Sequence, residues 1–181
     1  MTDHAKKAKE LFMEGYNCAQ AVLCSFEDLT GLDRETSARL ASSFGGGMGR
    51  MREVCGTVSG ALMVLGLLSG YSGPEDQEGK KAHYHLVQEF SRRFREENGS
   101  IICRDLLSGV NTTPGKDPEK RTDDYYKKRP CPDLVSFAAK LADEMLSEVS
   151  ENNTGWERKA LCSLLYLCKL LLRKPKALKT A

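Results

Sequence analysis

Apolar side chains recur every three to four residues along this chain and nowhere alternate over a β-branched run, which confines the fold to helices packed on helices. The period runs through Ala19, Val22, Leu23 and Phe26, then Val54, Val58, Ala61, Leu62 and Leu65. It returns in Val87, Phe90 and Phe94, and again in Leu134, Phe137, Ala138, Leu141 and Met145. The pattern predicts an all-α fold with helices near residues 3–14, 18–29, 34–43, 52–69, 76–97, 101–107, 133–150 and 156–173. Asn17 and Asp33 read as N-caps, Gly70 and Gly73-Pro74 separate two helices, and Asn98-Gly99 ends another. Gly15 either closes the first helix or is bridged by one longer helix.

A chain of 181 residues supports one sizeable core and is short for two. The expected organisation is a single compact multi-helix domain over residues 1–154 and a C-terminal helical extension over 155–181. That extension is apolar nearly all round and ends in a basic tail, which suits packing on the body, on a second copy in a homodimer, or at a membrane surface. Within the helix at 52–69, Gly56, Gly60 and Ala61 leave a face almost without side chains, which predicts close approach of a neighbouring helix before a bound cofactor. Residues 108–130 are proline-bearing, charged and poor in apolar residues, and read as a long loop: a flexible connector or a cover over a site between Cys103 and Cys131.

Charge excludes some functions. The formal +2 hides +6 over residues 156–181 and −4 over the rest, so the basicity belongs to the tail. No basic stripe with interleaved aromatics runs through the body, and nucleic acid is not an expected partner. The longest uncharged apolar run, residues 58–71, spans 14 residues. A bilayer-crossing helix takes about 20, so no transmembrane segment is expected, and with no secretory signal the expected location is cytoplasmic.

Seven cysteines in a reducing compartment point to burial, metal binding or redox chemistry before a disulfide framework. Cys24, Cys162 and Cys168 fall inside predicted helices among apolar residues and read as small hydrophobes. Cys18, Cys55, Cys103 and Cys131 fall near predicted helix starts, where unpaired N–H groups and the helix dipole favour a thiolate. Intervals of 37, 48 and 28 residues contain no CxxC, so any shared site has to be assembled by tertiary folding. Such a quartet can ligate one zinc or one iron-sulfur cluster, or act as dithiol pairs.

The glycine-rich segment Phe44-Gly45-Gly46-Gly47-Met48-Gly49-Arg50 precedes Cys55. Gly45, Gly46 and Gly47 either direct backbone N–H groups at an anion or cluster sulfur, or simply make a tight helix-to-helix connection. The segment matches neither a dinucleotide fingerprint nor a P-loop. His83 and His85, two apart on a helix, point in different directions and are not expected to share a metal. Trp156 and Tyr166 read as core or interface residues.

Taken in order, Gly15-Tyr16-Asn17-Cys18-Ala19-Gln20-Ala21-Val22, Phe44-Gly45-Gly46-Gly47-Met48-Gly49, Cys55-Gly56-Thr57-Val58-Ser59-Gly60-Ala61, and the separate Cys103 and Cys131 resemble the four-cysteine redox-active family named for its C-GCAxxG-C-C pattern. The resemblance covers about residues 5–150 and implies a helical redox protein using those four cysteines. Thr57 stands where the family pattern has alanine, and the added hydroxyl is expected to be accommodated. A related helical domain occurs in split-Soret cytochrome c beside an iron-sulfur cluster. The resemblance therefore implies a [2Fe-2S]-type cluster on Cys18, Cys55, Cys103 and Cys131, with electron transfer to a redox partner protein and the glycine turn tuning the potential. The same cysteines leave two alternatives: a thiol-disulfide enzyme or sensor, and a zinc-stabilised or structural binding module associated with a transporter.

Overall fold

The computed structural model describes residues 2–112 and 117–171, with side chains described as far as Glu151. The chain divides into two units, Met1–Leu146 and Ser147–Ala181. The first holds the buried core and all four of the singled-out cysteines. Its helices are α1 (His4–Met13), α2 (Cys18–Ser25), α3 (Glu27–Thr30), α4 (Arg34–Ala41), a single turn α5 (Gly45–Met48), α6 (Gly56–Ser69), α7 (Gln77–Asn98), α8 (Cys103–Leu106) and α9 (Asp123–Lys127). The last helix, α10, runs Cys131–Leu171. Among the described residues the fold is all-α, with one isolated antiparallel bridge, Val54 to Ile102, and no helix long and apolar enough to cross a membrane.

α2 is the centre of the core: every residue in it except Gln20 is buried. Its start is fixed by a capping box in which the Asn17 side chain accepts from the Ala19 and Gln20 N–H groups while Gln20 Oε1 accepts from the Asn17 N–H. The spare polar atoms reach outward, Asn17 Nδ2 to the Ser42 carbonyl and Gln20 Nε2 to the Ala38 carbonyl, which ties α2 to the end of α4 and the turn after it. α6 lies against α2. A Cβ on Gly60 would stand 2.7 Å from the Ala19 carbonyl oxygen and 3.0 Å from Val22 Cβ, so the small-residue face seats a neighbouring helix, as expected. Phe12, Phe26, Phe90 and Phe94 are fully buried around this pair.

Several boundaries differ from the periodicity. The helix expected at 18–29 breaks at Phe26, whose N–H bonds the Leu23 carbonyl before α3 restarts. The helix expected from residue 52 begins only at Gly56, because residues 52–55 are engaged with residues 101–104. The long loop contains α9, capped by the Thr122 hydroxyl accepting from the Tyr125 N–H. The two helices expected at 133–150 and 156–173 are one, running through Asn152-Asn153-Thr154-Gly155. No proline interrupts that stretch, and glycine costs a helix interior only about 1 kcal/mol. The expected packing of residues 155–181 on the body, a second copy or a membrane, with Trp156, Cys162, Tyr166 and Cys168, falls on side chains outside the described residues.

Candidate functional site

All four singled-out cysteines occupy helix starts. Cys18, Cys103 and Cys131 are the first residues of α2, α8 and α10, and Cys55 is the N-cap of α6. Each is nine-tenths or more buried, with 8, 4, 6 and 7% exposure for Cys18, Cys55, Cys103 and Cys131. These four and Cys24 are free thiols. Cys24 is fully buried beneath α2, as expected of a small hydrophobe.

Short contacts bring three of them together, Cys18, Cys55 and Cys103. The Cys55 N–H donates to the Ile101 carbonyl (2.8 Å) and the Cys103 N–H to the Glu53 carbonyl (2.7 Å), on either side of the Val54–Ile102 bridge. Side chains alternate across such a ladder, so Cys55 and Cys103 lie on the same face as diagonal neighbours. Two glycines let the remaining pieces close. A Cβ on Gly56 would fall 3.0 Å from Cys18 Cβ, and one on Gly47 would fall 2.7 Å from Cys103 Cβ. Neither position has room for a larger residue, and Gly47 also sits at φ 71°, a left-handed conformation.

Burial and neighbours treat the thiols unequally. Cys131 is pulled down to about 7, first by the hydrogen bond from the Cys18 thiol and then by Arg129, Arg121 and Arg52, against the opposing effect of burial. Cys18 is pushed well above its ordinary value by that same hydrogen bond, by burial and by the charge of Cys131. Burial pushes Cys55 up to about 11, partly offset by the Thr57 hydroxyl 3.2 Å from its sulfur. Burial also raises Cys103, opposed by Arg52, whose Nη1 lies 3.9 Å from Cys103 Sγ. The expectation that helix starts acidify all four is not met: Cys131 alone is lowered, by Cys18 and the arginines, while Cys131 and burial raise Cys18, and burial raises Cys55 and Cys103. Thr57, the departure from the family pattern, is fully buried and used.

The arginines beside the thiols were not foreseen. Arg50, Arg52 and Arg129 converge on Oε1 of Glu119, at 3.2, 3.6 and 2.7 Å. Arg129 is buried and its guanidinium stacks 4.4 Å from the Tyr125 ring centroid. Arg121 lies over Phe12 at 4.6 Å and Tyr125 at 5.0 Å, and Tyr126 Oη donates to the Phe12 carbonyl. The described part of the long loop is therefore folded down on the thiol side of the domain, as a cover rather than a free connector. Two arginines come from the stretch after the glycine turn, where Met48, Arg50 and Arg52 have φ of 60°, 68° and 62°. Left-handed non-glycine residues in such a run are costly and concentrate at functional sites.

Gly45, Gly46 and Gly47 make this turn, and their carbonyls accept from the N–H groups of Arg50, Arg52 and Glu53, so the segment closes on itself. That is the tight connection, with Gly47 packed on Cys103. Among the described residues no three cysteine, histidine or carboxylate side chains are arranged to hold a metal ion. His83 is half-buried near Tyr71 and His85 is exposed, and they form no joint site.

The family described as "Putative redox-active protein (C_GCAxxG_C_C)" matches residues 16–145, well over half of the chain and inclusive of all four cysteines. No curated protein and no solved structure matches the chain.

Proposed function

The chain belongs to the C_GCAxxG_C_C redox-active family, and on that premise we propose that it performs thiol–disulfide exchange with Cys131 as the attacking thiolate and Cys18 as its resolving partner. The inequality of this pair carries the reading: Cys131 is lowered to about 7, with Cys18 the largest influence and Arg129, Arg121 and Arg52 beside it, while Cys18 is raised. An attacking thiol works best when its pKa lies near the ambient pH. Cys131 thiolate attacks one sulfur of a disulfide substrate, forming a mixed disulfide and expelling the first substrate thiolate, which takes a proton from water. Cys18 then attacks Cys131 Sγ; its proton passes to the second substrate sulfur as that leaves. The substrate disulfide is reduced to two thiols and the Cys18–Cys131 pair is oxidised to a disulfide, and a redox partner returns it to the dithiol. Cys55 and Cys103 stay protonated beside the pair.

The test is oxidation of the reduced protein with a small disulfide, followed by mass spectrometry without reduction. A single Cys18–Cys131 linkage is expected, and Cys131→Ser should leave neither a mixed disulfide nor that linkage at neutral pH. Modification spread evenly over the seven cysteines would sink the proposal.

An iron-sulfur cluster is favoured by a different observation, the mutual electrostatic influence of four buried thiols. Cys18, Cys55, Cys103 and Cys131 would hold it, and the cluster would supply one-electron transfer. Such ligation requires the sulfurs to close on a common centre, which the described side chains do not do as they stand. The same holds for zinc. Iron, zinc and labile-sulfide analysis of anaerobically purified protein separates these from the dithiol: stoichiometric iron and sulfide would replace the exchange reading.

A further inference from the structure

Beside the thiols lies a cavity of about 360 Å³ lined by Arg50, Arg52, Arg121 and Arg129, with Glu119 as the one acidic side chain. That volume falls within the range for metabolite-sized ligands, about 300–1,000 Å³. Four guanidinium groups facing one carboxylate leave a formal excess of three positive charges in a partly enclosed space. Burying like charges together is costly unless a counter-charge is supplied.

Two features show what that counter-charge would be. First, the arginines already hold a carboxylate: Oε1 of Glu119 receives Arg129 at 2.7 Å and Arg50 at 3.2 Å, with Arg52 at 3.6 Å. An internal carboxylate demonstrates that the forks are aimed to receive anionic oxygen. Second, Arg121 lines the cavity with its guanidinium carbon over the rings of Phe12 and Tyr125, at 4.6 and 5.0 Å, and its Nη1 is buried with no hydrogen-bond partner among the described residues. A buried donor left unmade costs about 1–3 kcal/mol, and more when charged.

We propose that this cavity binds a small organic anion whose carboxylate or phosphate oxygens engage Arg121 and compete with Glu119 for Arg129. The rest of the ligand has room in an adjoining space of about 540 Å³ that shares Arg50, Glu119 and Arg129. There Lys120 and Lys128 are balanced by Asp117 and Asp124, so the anionic end belongs with the arginines. Arg52 reaches Cys103 Sγ and Arg129 follows into Cys131 by two residues, so a bound anion lies one side chain away from the thiols. Service as the substrate site rests on the thiol–disulfide reading; binding itself does not.

Isothermal titration of the anaerobically purified full chain, in chloride buffer at matched ionic strength, tests the site with inorganic phosphate and with malonate as probes. Saturable one-to-one binding of at least one is expected, and the stronger of the two identifies the anionic group. Arg121→Gln should weaken it at least tenfold, and Arg121→Lys, which keeps the charge and loses the fork, by less. Glu119→Gln removes the competing carboxylate and should tighten binding several-fold, a gain that a merely structural Glu119 would not give. Cys131→Ser should leave affinity within twofold, so the pocket and the thiol chemistry fail separately. No saturable binding of either probe, an unchanged affinity in Arg121→Gln, or no tightening in a folded Glu119→Gln protein would each overturn the proposal. Should Arg121→Gln not fold, Arg121→Lys and Glu119→Gln decide the matter.

Discussion

Removing the Cys18 thiol should change how Cys131 reacts in a way that only the hydrogen bond between them explains. In the native chain Cys131 lies at about 7, and the largest downward influence is Cys18. With Cys18→Ala the largest downward influence is lost and Cys131 rises, at the limit to its ordinary 9.0. At pH 7 the thiolate fraction then falls from about one half to about one in a hundred, a loss of about 50-fold. Intrinsic nucleophilicity rises with pKa, and a Brønsted slope of about 0.4–0.5 over two pH units gives back about eightfold. The net expectation is exchange about sixfold slower at pH 7, and about eightfold faster once both thiols are ionised, so the two pH profiles should cross near pH 8 by the same Brønsted arithmetic. The assay is the rate of mixed-disulfide formation at Cys131 with a neutral dipyridyl disulfide, followed by peptide mass. Cys18→Ser keeps a hydroxyl donor and should lie between. Easier access in the alanine variant would scale the whole profile without moving its inflection. Parallel profiles, or a native inflection near 9, would refute the reasoning.

Two further outcomes follow from packing and burial. Gly60→Ala forces a methyl to 2.7 Å from the Ala19 carbonyl; overpacking of about 1–3 kcal/mol less about 1 kcal/mol of regained helix propensity predicts a net loss of up to about 2 kcal/mol in urea denaturation. Gly66→Ala on the same helix meets nothing within 4 Å and should be neutral or stabilising; equal effects at both positions would contradict the packing of α6 on α2. Above pH 9 the unfolded Cys55 thiol ionises while the folded one, at about 11, stays protonated. The unfolded chain then binds fewer protons, so stability present below pH 9 is lost as pH rises to 11, by up to about 1.4 kcal/mol per pH unit from this group. Cys55→Ala should flatten the slope of stability against pH by that amount, and an unchanged slope would show that Cys55 is not held protonated.

The all-α class, the helix-start placement of the four cysteines and the seat for a neighbouring helix at Gly60 were all legible, because each depends on residues close in sequence. The unequal acidity of the thiols was not. A helix dipole can be read from a cap residue, but desolvation depends on what packs over it, and here Phe44, Val54 and Tyr125 come from separate segments. The arginines escaped for the same reason. Arg50 and Arg52 looked like polar residues after a glycine turn, and Arg121 and Arg129 like charges in a loop, until Glu119 brought three of them together. His4 is a parallel case near the other end. In a charged opening stretch it reads as surface, yet it is 3% exposed, stacked on Phe26, and bonded to Asp28 at 3.0 Å and Asp143 at 2.7 Å. The left-handed residues at 48, 50 and 52 were the one available hint that is visible only in the backbone.

The unequal thiols also bear on which chemistry this arrangement favours. Ligating a metal requires every participating sulfur as a thiolate. For Cys55, raised to about 11, and for Cys18 and Cys103, raised in the same direction, the charge of the bound ion itself would have to bring about that ionisation. Exchange needs one thiolate at a time: Cys131 for the attack, then Cys18 once the mixed disulfide has removed the Cys131 charge that helps hold Cys18 up. It also benefits from the arrangement, because Cys55 and Cys103 would repel the Cys131 charge if they ionised, and burial keeps them from doing so. Arg129, Arg121 and Arg52 supply the positive field that lowers Cys131, and all three line the arginine-rich cavity. A two-electron step at the Cys18–Cys131 pair is the chemistry for which these residues already have the right charges.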